Sequence, residues 1–433
     1  MPEPMLERAP LPEAEPERPL KICLLGYRSN PYSGGQGIYL KYLSKALVDA
    51  GHSVDVISGE PYPHLDERVR LIKLPGLNLY EVPNHVTALR PRHLKSYTDT
   101  FEYFSMLTGG FPEPYTFGRR LVKYFRKHKP DYDIVHDNQS LCYGTLALQQ
   151  MCIPLVTTIH HPITSDLDIA LKHAPNWKHR LLVRRWHSFL GMQKAVVPGL
   201  NHIVTVSEAS RQDIAKAFGI GEDKIHIVHN GIATDLFRPM PDTHRKPNRI
   251  MATASADAPL KGLAYLLNAL VDIRKQVPEA ELLVVGKLKE DGDTRKLIDK
   301  LDLWDHVTFR SDLTPQEIVD LYAEASVAVV PSIYEGFGLP AGEAMASGVP
   351  VVSTDGGALP EVVGDAGKIV PVRDSDALSR AIVDLLKSPD DRKTLGEAGR
   401  ARIVESFSWE VAARDMVSLY RNVMAEADVA THH

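Results

Sequence analysis

The chain has 433 residues, 44% hydrophobic and 24% charged, which is too long for one ordinary core and typical of a globular protein with two domains. A formal net charge of −5 argues against a protein that coats nucleic acid. Three cysteines (Cys23, Cys142, Cys152) are too few for a disulfide framework and lack metal-ligand spacing, so they read as reduced cytoplasmic thiols.

Residues 1–19 are rich in Pro and Glu and have no apolar h-region, so they read as a disordered acidic tail and not as a signal peptide. No apolar run is long enough to span a bilayer. Residues 21–26 form a short apolar strand. A glycine-bearing loop through Gly34, Gly35 and Gly37 follows, then an amphipathic helix over 38–50 and a strand over 53–58. This is a βαβ unit with its glycine turn at the carboxyl end of the first strand. Residues 60–130 read as a long irregular insert carrying aromatics such as Tyr80, Tyr97, Phe101, Phe111 and Tyr115. Strands are predicted at 134–136, 155–159 and 202–206. Between the last two, residues 177–190 are basic with interleaved Trp177, Leu181, Leu182 and Trp186. Such a helix either packs on a core or lies on an anionic membrane surface at the inner membrane face.

Residues 237–247, rich in Pro and charge, read as a linker, after which the pattern restarts. Strands are predicted at 249–254, 281–285, 307–309, 327–330 and 349–353. Helices are predicted at 261–275, 292–301, 315–324, 341–347 and 374–387. The expected architecture is α/β: two facing Rossmann-like doubly wound domains, 20–238 and 239–408, with a helix from 409 to 433 crossing back towards the first. Ligands would bind in the cleft between strand carboxyl ends.

The most informative stretch is Glu335-Gly336-Phe337-Gly338-Leu339-Pro340-Ala341-Gly342-Glu343. One carboxylate sits on a loop after a buried strand, and a second lies just inside the following helix. Carboxylates accept paired hydrogen bonds from vicinal hydroxyls. Free amides at a helix N-terminus bind phosphate. Sugar hydroxyls, ribose hydroxyls and a diphosphate together describe a nucleoside-diphosphate sugar.

These residues, with the Phe337-Gly338-Leu339-Pro340 run, Val349-Pro350-Val351-Val352, Gly356-Gly357, Pro360-Glu361, Ser207-Glu208, Asn230-Gly231 and Lys261-Gly262, resemble the retaining glycosyltransferases of family 4, which have the GT-B fold. The resemblance implies that Glu335 binds donor-sugar hydroxyls and that Gly336, Phe337, Gly338 and Leu339 present amides to sugar and diphosphate. It also implies that Glu343 holds the ribose and that Lys261 sits on the β-phosphate. Gly34 and Gly35 would face the diphosphate from the first domain, and His160, with His161 as the alternative, would bind the transferred sugar. Ser311 and Leu313 would frame the base through backbone contacts. One departure stands out: where the family has Gly-Arg, this chain has Ala254-Ser255, so a second phosphate cation is missing and Arg28 is a candidate substitute.

No Asp-x-Asp pair has convincing strand-end context, including Asp131/Asp133 and Asp166/Asp168. The expected enzyme is therefore a metal-independent hexosyltransferase with no cofactor, using a UDP- or GDP-sugar and an acceptor hydroxyl on a glycan, lipid or small molecule. The rival readings are a nucleotide-sugar 2-epimerase, a phosphorylase, which would need a pyridoxal-binding lysine, and a non-catalytic nucleotide-sugar sensor.

Overall fold

The structure is a computed structural model. It describes residues 18–431 apart from 32–34, 83, 163–166, 168–169 and 172–173. Gly34, Asp166, Asp168 and most of the expected N-terminal tail lie outside the described residues. The first described residue, Arg18, is already tied down, its guanidinium donating to Asp133 at 2.8 and 3.1 Å.

Two parallel sheets organise the chain. The first contains β1 (Lys21–Gly26), β2 (Ser53–Ser58), β3 (Arg70–Lys73), β4 (Ile134–Asn138), β5 (Leu155–Thr158), β6 (Ile203–Thr205) and β7 (Ile225–Ile227), in the order β3-β2-β1-β4-β5-β6-β7. The second contains β8 (Arg249–Thr253), β9 (Glu281–Val285), β10 (Val307–Arg310), β11 (Val327–Val330), β12 (Val351–Thr354) and β13 (Lys368–Val370), in the order β10-β9-β8-β11-β12-β13. Central strands such as β4, β11 and β12 are buried throughout, as helices on both faces require. The α/β class and the doubly wound pattern are as expected from the sequence.

Two elements differ from the reading of the sequence. The insert at 60–130 is not irregular: it holds β3 and the helices Tyr97–Leu107 and Glu113–His128. Gly118 inside the second helix obscures its pattern, yet a side chain there would strike Cys142 Sγ at 2.5 Å, so glycine lets the neighbouring helix approach. The stretch 237–247 is not slack. Phe237 is buried in the second core, and Arg245 donates to the carbonyls of Tyr322, Ala325 and Gly348. The chain instead crosses between the sheets at Ile232 and Ser408, which form a parallel bridge backed by Ile232 N–H to Phe407 O at 2.7 Å. The helix Trp409–Thr431 buries Trp409, Met416, Tyr420 and Val423 against Tyr39, Leu43 and Leu47 of the first core.

Candidate active site

Both sheets reverse their strand order once, between β1 and β4 and between β8 and β11. At such a switch point adjacent loops leave in opposite directions and open a crevice above the carboxyl ends. In the second domain those loops carry Lys261 and Glu335, residues distant in sequence.

Three loops meet there backbone to backbone. Ile333 N–H donates to Leu260 O at 2.8 Å, and Ala358 N–H donates to Glu335 O at 2.9 Å. Gly262 is left-handed (φ +65°), and a Cβ on it would lie 1.9 Å from Pro331 O, so only glycine allows the contact. The result is a short ion pair: Lys261 Nζ and Ser332 Oγ both donate to Glu335 Oε1 at 2.7 Å. Glu335 is 11% exposed and Lys261 34%, so the pair opens to solvent mainly through the lysine.

After Glu335 the chain turns through Gly338 (φ +100°) into the helix Leu339–Ala346. Phe337 is buried against Phe407 and His229, which anchors the turn while its backbone stays on the cleft side. The amides of Gly336, Phe337, Gly338 and Leu339 have no acceptor among the described residues. Four free N–H groups at a helix N-terminus beside a lysine form an anion cradle.

Glu343 lies one turn into this helix, half-buried, with no hydrogen-bond partner among the described residues. Burial pushes its carboxyl up to about 8. Raised above its unfolded value, it gives stability that is complete in acid and is lost as pH climbs from the ordinary carboxylate range through about 8. Two ribose hydroxyls would favour the ionised form. The apparent KM for the donor is therefore expected to fall roughly tenfold per pH unit on approaching that pKa from below, with proton release on binding. In Glu343→Gln the slope should vanish; a pH-independent KM in the unmodified enzyme would show that Glu343 does not meet the nucleoside.

The first domain presents His160, immediately after Ile159 beyond β5, and its carbonyl approaches Gly336 across the cleft: a Cβ on Gly336 would lie 3.8 Å from it. Burial pushes the imidazole down to about 3. His161 is exposed. Gly35 begins the helix Gly35–Asp49, and a side chain there would meet no atom of the described residues within 4 Å. Gly37 differs, since a Cβ would strike Asn30 O at 2.2 Å; it is a packing glycine. Ser311 and Leu313 follow β10, separated from the Lys261–Glu335 pair by β9 and β8.

The two domains also clasp each other beside the donor loop. Ser207 and Ser210 hydroxyls donate to Gly336 O at 2.6 and 3.0 Å. The carboxylate of Glu361 accepts the amides of Glu208 and Ala209 at 2.9 and 3.1 Å, capping the helix Glu208–Phe218 from the opposite domain. Tyr334 donates to Asp213. In the sequence Glu361 stands out only as part of the family resemblance, and Tyr334, Ser210, Asn138 and Gln139 do not stand out. Asn138 and Gln139 had one available signal, their place at the carboxyl end of a buried strand.

Arg28 does not replace the missing arginine. Its guanidinium donates to both carboxylate oxygens of Glu113 at 3.0 and 3.1 Å and to Glu81 at 3.3 Å, with its face over Tyr80. It belongs to an aromatic wall above the end of β1: Phe111 stacks on Trp186 at 5.2 Å and meets Tyr27, Tyr80 and Phe189. Ser255 is exposed.

Facing doubly wound domains, with a lysine–carboxylate pair and an anion cradle at a switch point, define a GT-B transferase that uses a nucleotide-sugar donor. Comparison with known proteins agrees. Residues 33–236 match the model described as Glycosyltransferase Family 4, and residues 240–402 match Glycosyl transferases group 1. The MMP alpha-(1->4)-mannosyltransferase of Mycolicibacterium hassiacum is 45% identical over 410 residues, covering 94% of this chain and 99% of the relative. A phosphatidyl-myo-inositol mannosyltransferase of Mycolicibacterium smegmatis is 27% identical, with 91% and 92% covered. Sucrose-phosphate synthase from Thermosynechococcus elongatus superposes with a TM-score of 0.67 at 26% identity, with 94% and 100% covered. The chain belongs to glycosyltransferase family 4. It is an enzyme that transfers a hexose from a nucleoside-diphosphate sugar to an acceptor hydroxyl.

Proposed function

We propose that the hexose is mannose and that the enzyme forms an α-(1→4) linkage with retention of configuration. The near-full-length identity of 45% with an alpha-(1->4)-mannosyltransferase carries this reading. The residues support a division of labour. Glu335 binds hydroxyls of the transferred sugar, Lys261 and the amides of Gly336–Leu339 hold the diphosphate, and Glu343 takes the ribose hydroxyls. Gly34 and Gly35 leave room for the diphosphate, Ser311 and Leu313 line the base, and His160 bonds a sugar hydroxyl.

The C1–O bond to the β-phosphate breaks with its electrons on phosphate, where Lys261 and the amides take up the growing charge. The acceptor's 4-oxygen bonds to C1 on the same face, and its proton passes to a β-phosphate oxygen. No protein nucleophile is needed, and the counter-charge comes from the protein itself, so activity is expected to survive EDTA.

The test is a panel of UDP-, GDP- and ADP-linked mannose and glucose with a mannoside acceptor, read by NMR of the product. An α-linked product at the acceptor's 4-oxygen supports the reading; a β-anomeric proton, or transfer from glucose donors alone, contradicts it.

The acceptor would lie along the aromatic wall. Beside it the helix Trp177–Trp186 has no buried residue, and Trp177, Leu181 and Leu182 are 70%, 59% and 55% exposed among Lys178, Arg180 and Arg184. This composition supports peripheral contact with an anionic lipid surface. Arg185 takes no part in such contact, because it bonds Ser105 and Thr108. Co-sedimentation with vesicles containing anionic lipid, reduced by Arg180→Glu and Arg184→Glu, supports the contact; no sedimentation removes it. Among the described residues, no helix is long and apolar enough to cross a membrane.

A further inference from the structure

We infer that Asn138 is a positioning residue that locks His160 as the Nε2–H tautomer and so leaves Nδ1 as a hydrogen-bond acceptor for a hydroxyl of the bound sugar. The tautomer follows from the geometry alone, while the ligand class rests on the proposed function.

The groups around the ring have no choice of role. Asn138 is buried at the end of β4 and approaches Gln36 O at 3.1 Å. A backbone carbonyl only accepts, so the amide must turn its NH₂ towards Gln36. Its carbonyl oxygen then faces His160 Nε2, 2.8 Å away. That oxygen also only accepts, so Nε2 carries the proton. Burial keeps the ring neutral, and a neutral imidazole with a proton on Nε2 has a bare lone pair on Nδ1.

Nδ1 of His160 has no partner among the described residues. The rest of the residue is held: the main-chain N–H of His160 donates to Gln139 Oε1 at 2.8 Å, and Tyr39 meets the ring edge-on with centroids 4.7 Å apart. Its place across from Gly336 puts it in the donor cleft. A ring that could only donate at the cleft would suit a carbonyl or phosphate oxygen; one that accepts suits an O–H, the group in which sugars are rich. The same amide joins the first turn of the helix Gly35–Asp49 to the histidine.

The direct test is ¹⁵N-histidine NMR of the whole protein without nucleotide or sugar. A pyrrole-type signal at Nε2 and a pyridine-type signal at Nδ1 of His160 is the expected result, and the reverse pattern overturns the assignment whatever the donor proves to be. Asn138→Leu, checked for folding by circular dichroism, should give mixed tautomers and lower kcat/KM by about tenfold. Asn138→Asp keeps an acceptor at Nε2 but favours the imidazolium, so it should retain the tautomer and gain an acidic limb in its pH–rate profile. Unchanged tautomer and unchanged kcat/KM in Asn138→Leu would reduce Asn138 to packing.

Discussion

Lys261→Ala is expected to lower kcat by about 10²–10³-fold, equivalent to roughly 3–4 kcal/mol of transition-state stabilisation. The β-phosphate gains negative charge as the glycosidic bond breaks, and a fixed cation matters more in the transition state than in the ground state. In this chain the loss should fall at the upper end of that range. The slot for a second phosphate cation holds the exposed Ser255, and Arg28 is committed to Glu113 and Glu81. The remaining counter-charge would come from the amides of Gly336–Leu339. Donor KM should move much less than kcat. Steady-state kinetics on a variant with unchanged circular dichroism tests this, and an unaltered kcat would place the leaving-group cation elsewhere.

The second large effect is expected from Gly262→Ala, which adds one methyl group and removes no functional group. That methyl would sit 1.9 Å from Pro331 O, a backbone atom with little freedom to yield. The left-handed conformation at φ +65° adds about 1–2 kcal/mol for any other L-residue. The loops carrying Lys261 and Glu335 should therefore separate, breaking their 2.7 Å contact. Melting should drop by several degrees, with kcat falling about as far as in Lys261→Ala. A variant with wild-type melting and turnover would mean that the apposition of these loops is not what builds the site.

Much of this was legible in the sequence for a physical reason. Buried parallel strands such as β11 and β12 are unbroken apolar runs, and the donor loop packs its strand, glycine turn, two carboxylates and helix into one short segment. Three of the four edge strands were not legible. β3, β7 and β13 are three or four residues long and partly exposed, too short for a pattern to accumulate. The insert reads as irregular in sequence, yet its aromatics lie on and between helices and pack against one another. The interdomain clasp was invisible, because Glu361 caps a helix that begins at Glu208 in the other domain and no local spacing records that contact. The role of Asn138 also stayed hidden, since it depends on Gln36 and His160, both far from it in the chain.

The central claim is that the donor lies at the switch point of the second sheet. The most direct measurement is a crystal structure with an intact nucleoside-diphosphate mannose bound. The β-phosphate is predicted to contact Lys261 Nζ and the amides of Gly336–Leu339, with Glu335 on the sugar and Glu343 on both ribose hydroxyls. A donor held anywhere else in the cleft, or a ribose that leaves Glu343 untouched, would contradict the account.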